Sequence, residues 1–319
     1  MNLEFLNINM EQKRNKICWR IGQEITPDTF ILADNYVCSQ HNLIRRLIAG
    51  KSYGVLPETE GTESSSGGEK GGSSFAVKSK LNKRDIYIDK VVCCGTTNAG
   101  YLIEIDDRLW DSFPQKHLSI PDSEAKALYV VVRVNPFEQV LIEPVVNEEA
   151  PTAHAVFELN VRELNRIGED ELAIIKINNC SYEPEINTEY IPPCMSVNAC
   201  SNLLDIYGQL KKLLSEMIKH IEKKDELFGS TLYPLTMLHV ELYEFSLSSP
   251  PIELIRLMKK IMQTSRFFVP DVKTVDMPDF LRTYNHNDMS ITFKALLSYL
   301  QAVIRVVSEG IEEDFTPRI

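Results

Sequence analysis

Apolar residues recur along this chain with two different periods, and the change falls at Pro192-Pro193. From 75 to 177 the rhythm is that of strands. Ile86, Ile88 and the Val91-Val92 pair sit among β-branched and aromatic neighbours, the turn-forming GTTNAG of 95–100 follows, and Tyr101–Ile105 returns, which predicts a hairpin. Ala127–Val134 is a long β-branched run that Asn135-Pro136 is expected to stop. Residues 139–142, 155–159 and 172–177 complete a set of short strands separated by turn residues. No βαβ alternation occurs, so the pattern favours a mainly antiparallel sandwich or barrel-like domain over a nucleotide-binding sheet.

Beyond the two prolines the period becomes helical. Leu203, Tyr207, Leu210, Leu214, Met217 and Ile221 are spaced 4, 3, 4, 3, 4, with Ser201 available as N-cap and Ile206 and Leu213 widening the stripe. A second helix, starting after Pro234, carries Leu235, Leu238, Leu242 and Phe245. A third follows Pro250-Pro251 with Ile252, Ile255, Met258 and Met262, and a fourth carries Phe293, Leu297, Leu300, Ile304 and Val307. Four amphipathic helices with short connections predict a four-helix bundle, and the heptad-like first and last seams are broad enough to pack on copies of the chain. The expected class is therefore α+β in two domains: a β-rich domain over 1–190 with an antiparallel sandwich, and a helical bundle over 191–319. Two segments fall outside this scheme. Residues 57–74 hold five glycines and no large apolar side chain, which predicts a flexible loop between two strands, and the polar, proline-broken 264–290 reads as a long excursion between the third and fourth helices.

Length and composition agree with two folded domains: 319 residues, 44% hydrophobic and 25% charged. The net charge of −11 arises in 104–191, which holds 7 basic and 18 acidic side chains. An acidic balance of that kind argues against nucleic acid or an anionic membrane as the main partner. No run approaches 18 apolar residues, and the N-terminus places its charge after its apolar part, the reverse of a signal peptide, so a cytosolic protein without direct membrane insertion is expected. The seven cysteines (18, 38, 93, 94, 180, 194 and 200) contain no CxxC and read as small hydrophobes in a reducing compartment, not as zinc ligands.

Candidate chemistry is sparse. GxGxxG, GxxxxGK[ST], GxSxG and HExxH are all missing, so neither a cofactor nor a metal is expected. The paired acids Asp106-Asp107, Glu148-Glu149 and Glu312-Glu313 read as solvated surface, and Lys78, Lys80, Lys83 and Arg84 as a charged strand edge. Of six histidines only His286, in Tyr-Asn-His-Asn-Asp, has polar company, so an enzymatic alternative would be a hydrolase or metalloenzyme with its site in 264–290. Trp19, Phe30 and Tyr36 are large anchors around Gly22 and Pro27. Such a cluster either closes a domain core, the reading favoured for Trp19 and Phe30, or forms a docking surface.

Two stretches resemble a known family. Trp19-Arg-Ile-Gly22, Ile25-Thr-Pro27, Phe30 and Asp34-Asn-Tyr36, followed by Tyr53-Gly-Val55, are similar to the N-terminal signature of the TssK family of type VI secretion baseplate proteins, although Asp28 and Thr29 stand where the family has Gln-His. Leu172–Ile177, Tyr190-Ile-Pro-Pro-Cys-Met195 and Ser201 to Leu204 resemble its last shoulder strand, its Ile-Pro-Pro hinge and its first neck helix. The resemblance implies a non-enzymatic homotrimer in the cytoplasm, at the cytosolic face of the inner membrane. Its shoulder would bind the wedge proteins TssF and TssG, here through Trp19, Ile25, Pro27, Phe30 and Tyr36. Pro192 and Pro193 would form the hinge, and Leu203, Tyr207, Leu210, Leu214, Met217 and Ile221 the trimer seam. The chain stops at Ile319, where the family continues into a head that contacts the membrane complex, so that contact is the part of the resemblance this sequence carries least. These departures point to a lineage of Bacteroidetes type. A phage-type tail or receptor-binding protein would share the architecture.

Overall fold

Thr26 and Pro27 start a helix that the rhythm of the first domain does not predict. The computed structural model describes residues 16–50, 52–57, 75–142, 152–179, 183–223, 225–268 and 284–309. Helix α1 (Pro27–Ala49) opens on a reciprocal cap: the Thr26 hydroxyl accepts from the Thr29 N–H at 3.4 Å, and the Thr29 hydroxyl accepts from the Thr26 N–H at 3.0 Å. Pro27 at the first helical position loses no hydrogen bond there, and Gly50 ends the helix with φ +58°.

The chain divides into two compact units, one of residues up to 54 together with 75–187, the other of 55–74 and 188–319. In the first, β1 (Gly54–Val55) supplies Gly54, whose carbonyl lies so near Gly95 that a Cβ there would sit 2.8 Å from its oxygen. β3 (Asp85–Thr96) is the spine of one antiparallel sheet, pairing with β2 (Phe75–Asn82), β4 (Leu102–Ile105) and β5 (His117–Ser119). The expected hairpin across 95–100 is present, with Thr96 opposite Leu102. The short helix α2 (Asp107–Asp111), capped by Asp106 on the Leu109 N–H at 2.8 Å, brings Trp110 onto β3, where its indole N–H donates to the Asp89 carbonyl at 2.9 Å.

A second antiparallel sheet runs in the order β7-β6-β8-β9, from β6 (Ala127–Ile142), β7 (Thr152–Glu163), β8 (Glu171–Asn178) and β9 (Glu185–Ile186). Ile86, Ile88 and Val91 of β3 share one buried apolar cluster with Val130 and Val132 of β6 and Leu172 and Ile177 of β8. Asn135-Pro136 does not stop its strand. Asn135 pairs with Val156 and Gln139 with Ala155, so residues 136–138 bulge out and β6 resumes to Ile142. A bulge absorbs the missing proline N–H without ending the ladder.

In the second unit, Val55 donates to the Pro193 carbonyl at 2.8 Å and accepts from the Met195 N–H at 2.9 Å, which holds the buried Pro192-Pro193 pair in place. Four long helices follow: α3 (Ser201–Glu222), α4 (Asp225–Tyr243), α5 (Pro251–Phe268) and α6 (Met289–Glu309). α3 packs on the other three, and α5 packs on both α4 and α6. The Tyr207 hydroxyl ties α3 to the end of α4 by donating to the Leu242 carbonyl at 2.7 Å. The N-cap of α3 is Cys200, not Ser201, and α4 begins at Asp225 with Pro234 inside it. α5 starts at Pro251 as the pattern predicts.

The protein is thus α+β, with antiparallel sheets before residue 187 and the four long helices after it. Residues 58–74 and 269–283, which hold most of the two expected loops, lie outside the described residues. The flanks of the second are helical, since α5 runs to Phe268 and a 3₁₀ turn at His286–Asp288 leads into α6. Residues His286–Ser308 are long and apolar enough to cross a membrane by length and composition, but half of that apolar window is buried inside the protein, as in a core helix.

The six heptad positions of α3 are all buried within the chain itself: Leu203, Tyr207, Leu210, Leu214, Met217 and Ile221 meet the other helices of their own unit. The spacing that reads as a seam between copies is the core of one copy, because an apolar stripe is satisfied by whichever helices reach it first. Replacing Leu210 and Leu214 by Glu together is therefore expected to unfold the second unit, at a cost of several kcal/mol for unpaired buried charge. Circular dichroism would show lost helix, whereas a folded monomer would mean that these leucines do face another copy. Gly100→Ala tests the seat of α1. Gly100 has φ +83°, and a Cβ there would lie 2.2 Å from the Asn42 carbonyl oxygen of the helix. About 1–2 kcal/mol of left-handed strain, added to that clash, should lower the unfolding midpoint and speed amide exchange along α1.

Candidate interaction surface

Helix α1 is built inside out. Its buried residues are Asn35 and Asn42, while Phe30, Ile31, Val37, Leu43, Ile44, Leu47 and Ile48 are exposed. Phe30, Val37 and Ile44 recur every seven residues, which stacks them along one side of a helix about 35 Å long. The inward side approaches the sheets through backbone, at Gly100, and the Asn42 side chain stays within the helix, accepting from Arg45 at 3.0 Å and donating to the Cys38 sulfur at 3.6 Å. A cavity flanks the helix on each side. One of about 230 Å³ is lined by Ser39, Arg46, Tyr101 and Phe137, the other, of about 210 Å³, by Arg45, Glu104, His154 and Phe157, and Asn42 lines both.

The segment before the helix extends the apolar surface. Trp19 is 52% exposed, Ile25 60% and Phe30 58%, with Ile21 entirely open. Core packing, the reading favoured from sequence for Trp19 and Phe30, does not hold. Of the five residues expected to meet a partner, Trp19, Ile25, Pro27 and Phe30 lie on the surface, and Tyr36 is partly buried, its carbonyl accepting from the Ser39 hydroxyl at 2.7 Å. Sequence reasoning missed Val37, Ile44, Leu47 and Ile48. The capping pair Thr26 and Thr29 and the heptad repeat from Phe30 were the signals that would have found them. Each such side chain forgoes about 1.5–3 kcal/mol by staying in water. Exposed large apolar residues thus recur from Trp19 to Ile48.

A second apolar stripe lies on α4, where Tyr233, Met237, Val240 and Tyr243 are exposed at helical spacing. Lys211 lies 4.4 Å from the ring centres of both Tyr207 and Tyr243 and covers the stripe at one end. Reading Pro234 as the start of this helix hides the pattern, because Tyr233 then falls outside it.

Among the described residues, the groups singled out for chemistry are engaged with near neighbours. His286 shares its Nδ1 with the Tyr284 hydroxyl at 2.5 Å, and Asp288 accepts from the Ser290 hydroxyl at 2.8 Å. Among the described residues no group of three or more histidines, cysteines and carboxylates could hold a metal ion. The buried carboxylate of Glu171 is taken up by Arg162 at 3.0 Å and by the Gly168 N–H at 2.8 Å. The Cys93 thiol is pushed up to about 12 by burial, with Cys94 adding to the shift, so it stays protonated.

No family model and no curated protein matches the sequence. Solved structures do match. A crystal structure of TssK is similar over 91% of this chain and 69% of its own, with a TM-score of 0.64 at 14% identity. TssK in the cryo-electron microscopy structure of the type VI secretion TssK-TssF-TssG baseplate subcomplex is similar over 91% of this chain and 99% of its own, with a TM-score of 0.58 at 15% identity. TssK from the type VI secretion system of EAEC, in complex with a nanobody, matches over 88% of this chain and 69% of its own, at 0.55 and 13%. The fold of this chain is the TssK fold, in a divergent sequence.

Proposed function

We propose that this chain is a non-enzymatic structural adaptor of a type VI secretion baseplate, a cytoplasmic homotrimer that joins TssF- and TssG-like wedge proteins to the membrane-side complex. Residues 1–190 form the shoulder, a β-sandwich, and 191–319 the neck, a four-helix bundle, with Pro192-Pro193 the hinge between them. The wedge proteins meet the apolar surface that begins at Trp19 and Ile25, crosses Pro27 and Phe30 beside Tyr36, and runs along α1 through Val37, Ile44 and Ile48. The observation that carries this reading is the inversion of α1, since a helix that keeps its asparagines inward and seven large apolar residues outward is stable in water only as a docking element. Its place on a TssK fold, known from a complex with TssF and TssG, supports the identity of the partners.

Because the α3 seam is consumed inside the chain, the copies meet on the exposed stripe of α4, through Tyr233, Met237 and Val240. That stripe has the 4, 3 spacing of a coiled-coil seam and is exposed among the described residues. Met237→Glu with Val240→Glu is expected to leave helicity intact and to reduce the mass by light scattering from three copies of 36.4 kDa to one. An unchanged mass would place the contact between copies elsewhere.

Affinity purification from the native cell tests the adaptor role. The unaltered protein should bring down TssF- and TssG-like proteins. Phe30→Asp with Ile44→Asp should lose them by at least tenfold while the unfolding midpoint stays where it was, because both side chains are already in water. Failure of the unaltered protein to recover any wedge protein would end the reading.

A further inference from the structure

The exposed stripe of α1 carries a charge in its middle. Steps of 4 and 3 residues from Phe30 give Phe30, Asp34, Val37, His41, Ile44 and Ile48, all six of them exposed. At 3.6 residues per turn these positions lie within about 40° of Phe30 around the helix. An imidazole such as that of His41 can be covered uncharged, but a carboxylate can be covered only against an opposite charge or at heavy cost. The chain supplies Asp34 with no such charge. Its neighbours one turn away, Phe30, Ile31, Val37 and Cys38, are all uncharged. The two arginines of the helix are engaged elsewhere, Arg45 on the Asn42 side chain at 3.0 Å and Arg46 towards Glu169 at 3.6 Å. Among the described residues Asp34 makes neither an ion pair nor a side-chain hydrogen bond.

We propose that Asp34 sets the choice of partner on this helix: the segment that docks there is an amphipathic helix whose apolar stripe is interrupted by one lysine or arginine facing Asp34. The inference rests on the reading of α1 as the docking element of the adaptor. The 4, 3 spacing is that of a seam between helices, and a polar residue within such a seam fixes register and partner. Charge complementarity selects this occupant over two others. A second copy packed in parallel would set Asp34 against Asp34, and one packed antiparallel would set it against Phe30, Val37 or Ile44. A membrane would take the carboxylate into the boundary of the acyl chains, and a chain of net charge −11 is repelled by anionic lipid.

The pair forms between apolar residues, since Phe30 and Val37 stand on either side of Asp34 along the stripe and exclude water when a helix covers them. Removing the carboxylate then leaves the partner's cation covered and unmatched, which shortens the lifetime of the complex. The sign of one substitution follows. A leucine at 34 completes the apolar stripe, so it tightens docking that reads apolar surface alone and weakens docking that reads the charge.

The test compares the full chain, unaltered and as Asp34→Leu and Asp34→Lys, in affinity purification from the native cell. Both variants should lose the wedge proteins by about tenfold or more, which is about 1.4 kcal/mol. Their unfolding midpoints should stay at that of the unaltered chain, because position 34 is in water. A second arm replaces the lysines and arginines of the recovered wedge protein by glutamate, one at a time. One of these replacements should be recovered by Asp34→Lys and lost by the unaltered chain. Recovery by Asp34→Leu equal to or above that of the unaltered chain would overturn the inference and leave the adaptor reading standing, as would the lack of any such compensating replacement. If the unaltered chain recovers no wedge protein, the adaptor reading itself fails, and this inference with it. A mass by light scattering that falls on replacing Phe30 and Ile44 by Asp would give the stripe to a second copy, and flotation of the unaltered chain with phosphatidylcholine vesicles would give it to a membrane; either result overturns the inference.

Discussion

Helix α1 meets the sheets through backbone, and the character of the first unit's surface follows from that. Gly100 comes so close to the Asn42 carbonyl and the Arg46 N–H that any side chain at position 100 would push the elements apart. A contact made of backbone leaves no slot for large apolar residues on the inward side, which is why that side carries Asn35 and Asn42. The apolar residues that a 23-residue helix would otherwise bury are turned to water. The ion pair of Arg46 with Glu169, at 3.6 Å and well exposed, adds little to this seat. The helix is therefore seated closely at Gly100 and flanked by the two cavities that Asn42 lines, with its large apolar residues outside.

The second unit solves the opposite problem. Its longest heptad pattern, on α3, is satisfied within the chain, and the Tyr207 to Leu242 bond fixes the register of α3 against α4. A heptad pattern specifies a helix face that must be covered and does not say whose helix covers it. On α3 three other helices of the same unit are within reach; on α4 Tyr233, Met237 and Val240 stay exposed. The same periodicity is thus buried on one helix and exposed on another.

Much of the framework is legible in the sequence, for reasons that can be traced residue by residue. The hairpin at 95–100 is readable because turn residues stand between β-branched runs, and α5 because prolines stand at its start. Misreadings cluster at proline. Asn135-Pro136 reads as a strand end and is a bulge, and Pro234 reads as a helix start and is internal, because a single missing N–H is a local defect that neighbouring hydrogen bonds on either side can outweigh. Ser201 reads as a cap because its type favours that position, whereas the chain reaches helical geometry one residue later than Cys200 and gives the cap to cysteine.

The candidate surface was legible only at its N-terminal end. Trp19, Ile25, Pro27 and Phe30 are conspicuous by type, but whether a large apolar residue is core or contact depends on what the opposite face of its helix holds. Here that answer sits far along the chain, in Gly100, whose missing side chain lets the Asn42 backbone come close. Local pattern reports the amphipathicity of a helix, and long-range backbone fit decides which side is in. The agreement in fold with TssK at 13–15% identity is consistent with this division. Strand alternation and helix period can be met by many sequences, so they carry an architecture across large divergence, while a ridge that recognises a partner must match that partner's own surface and is free to change with it.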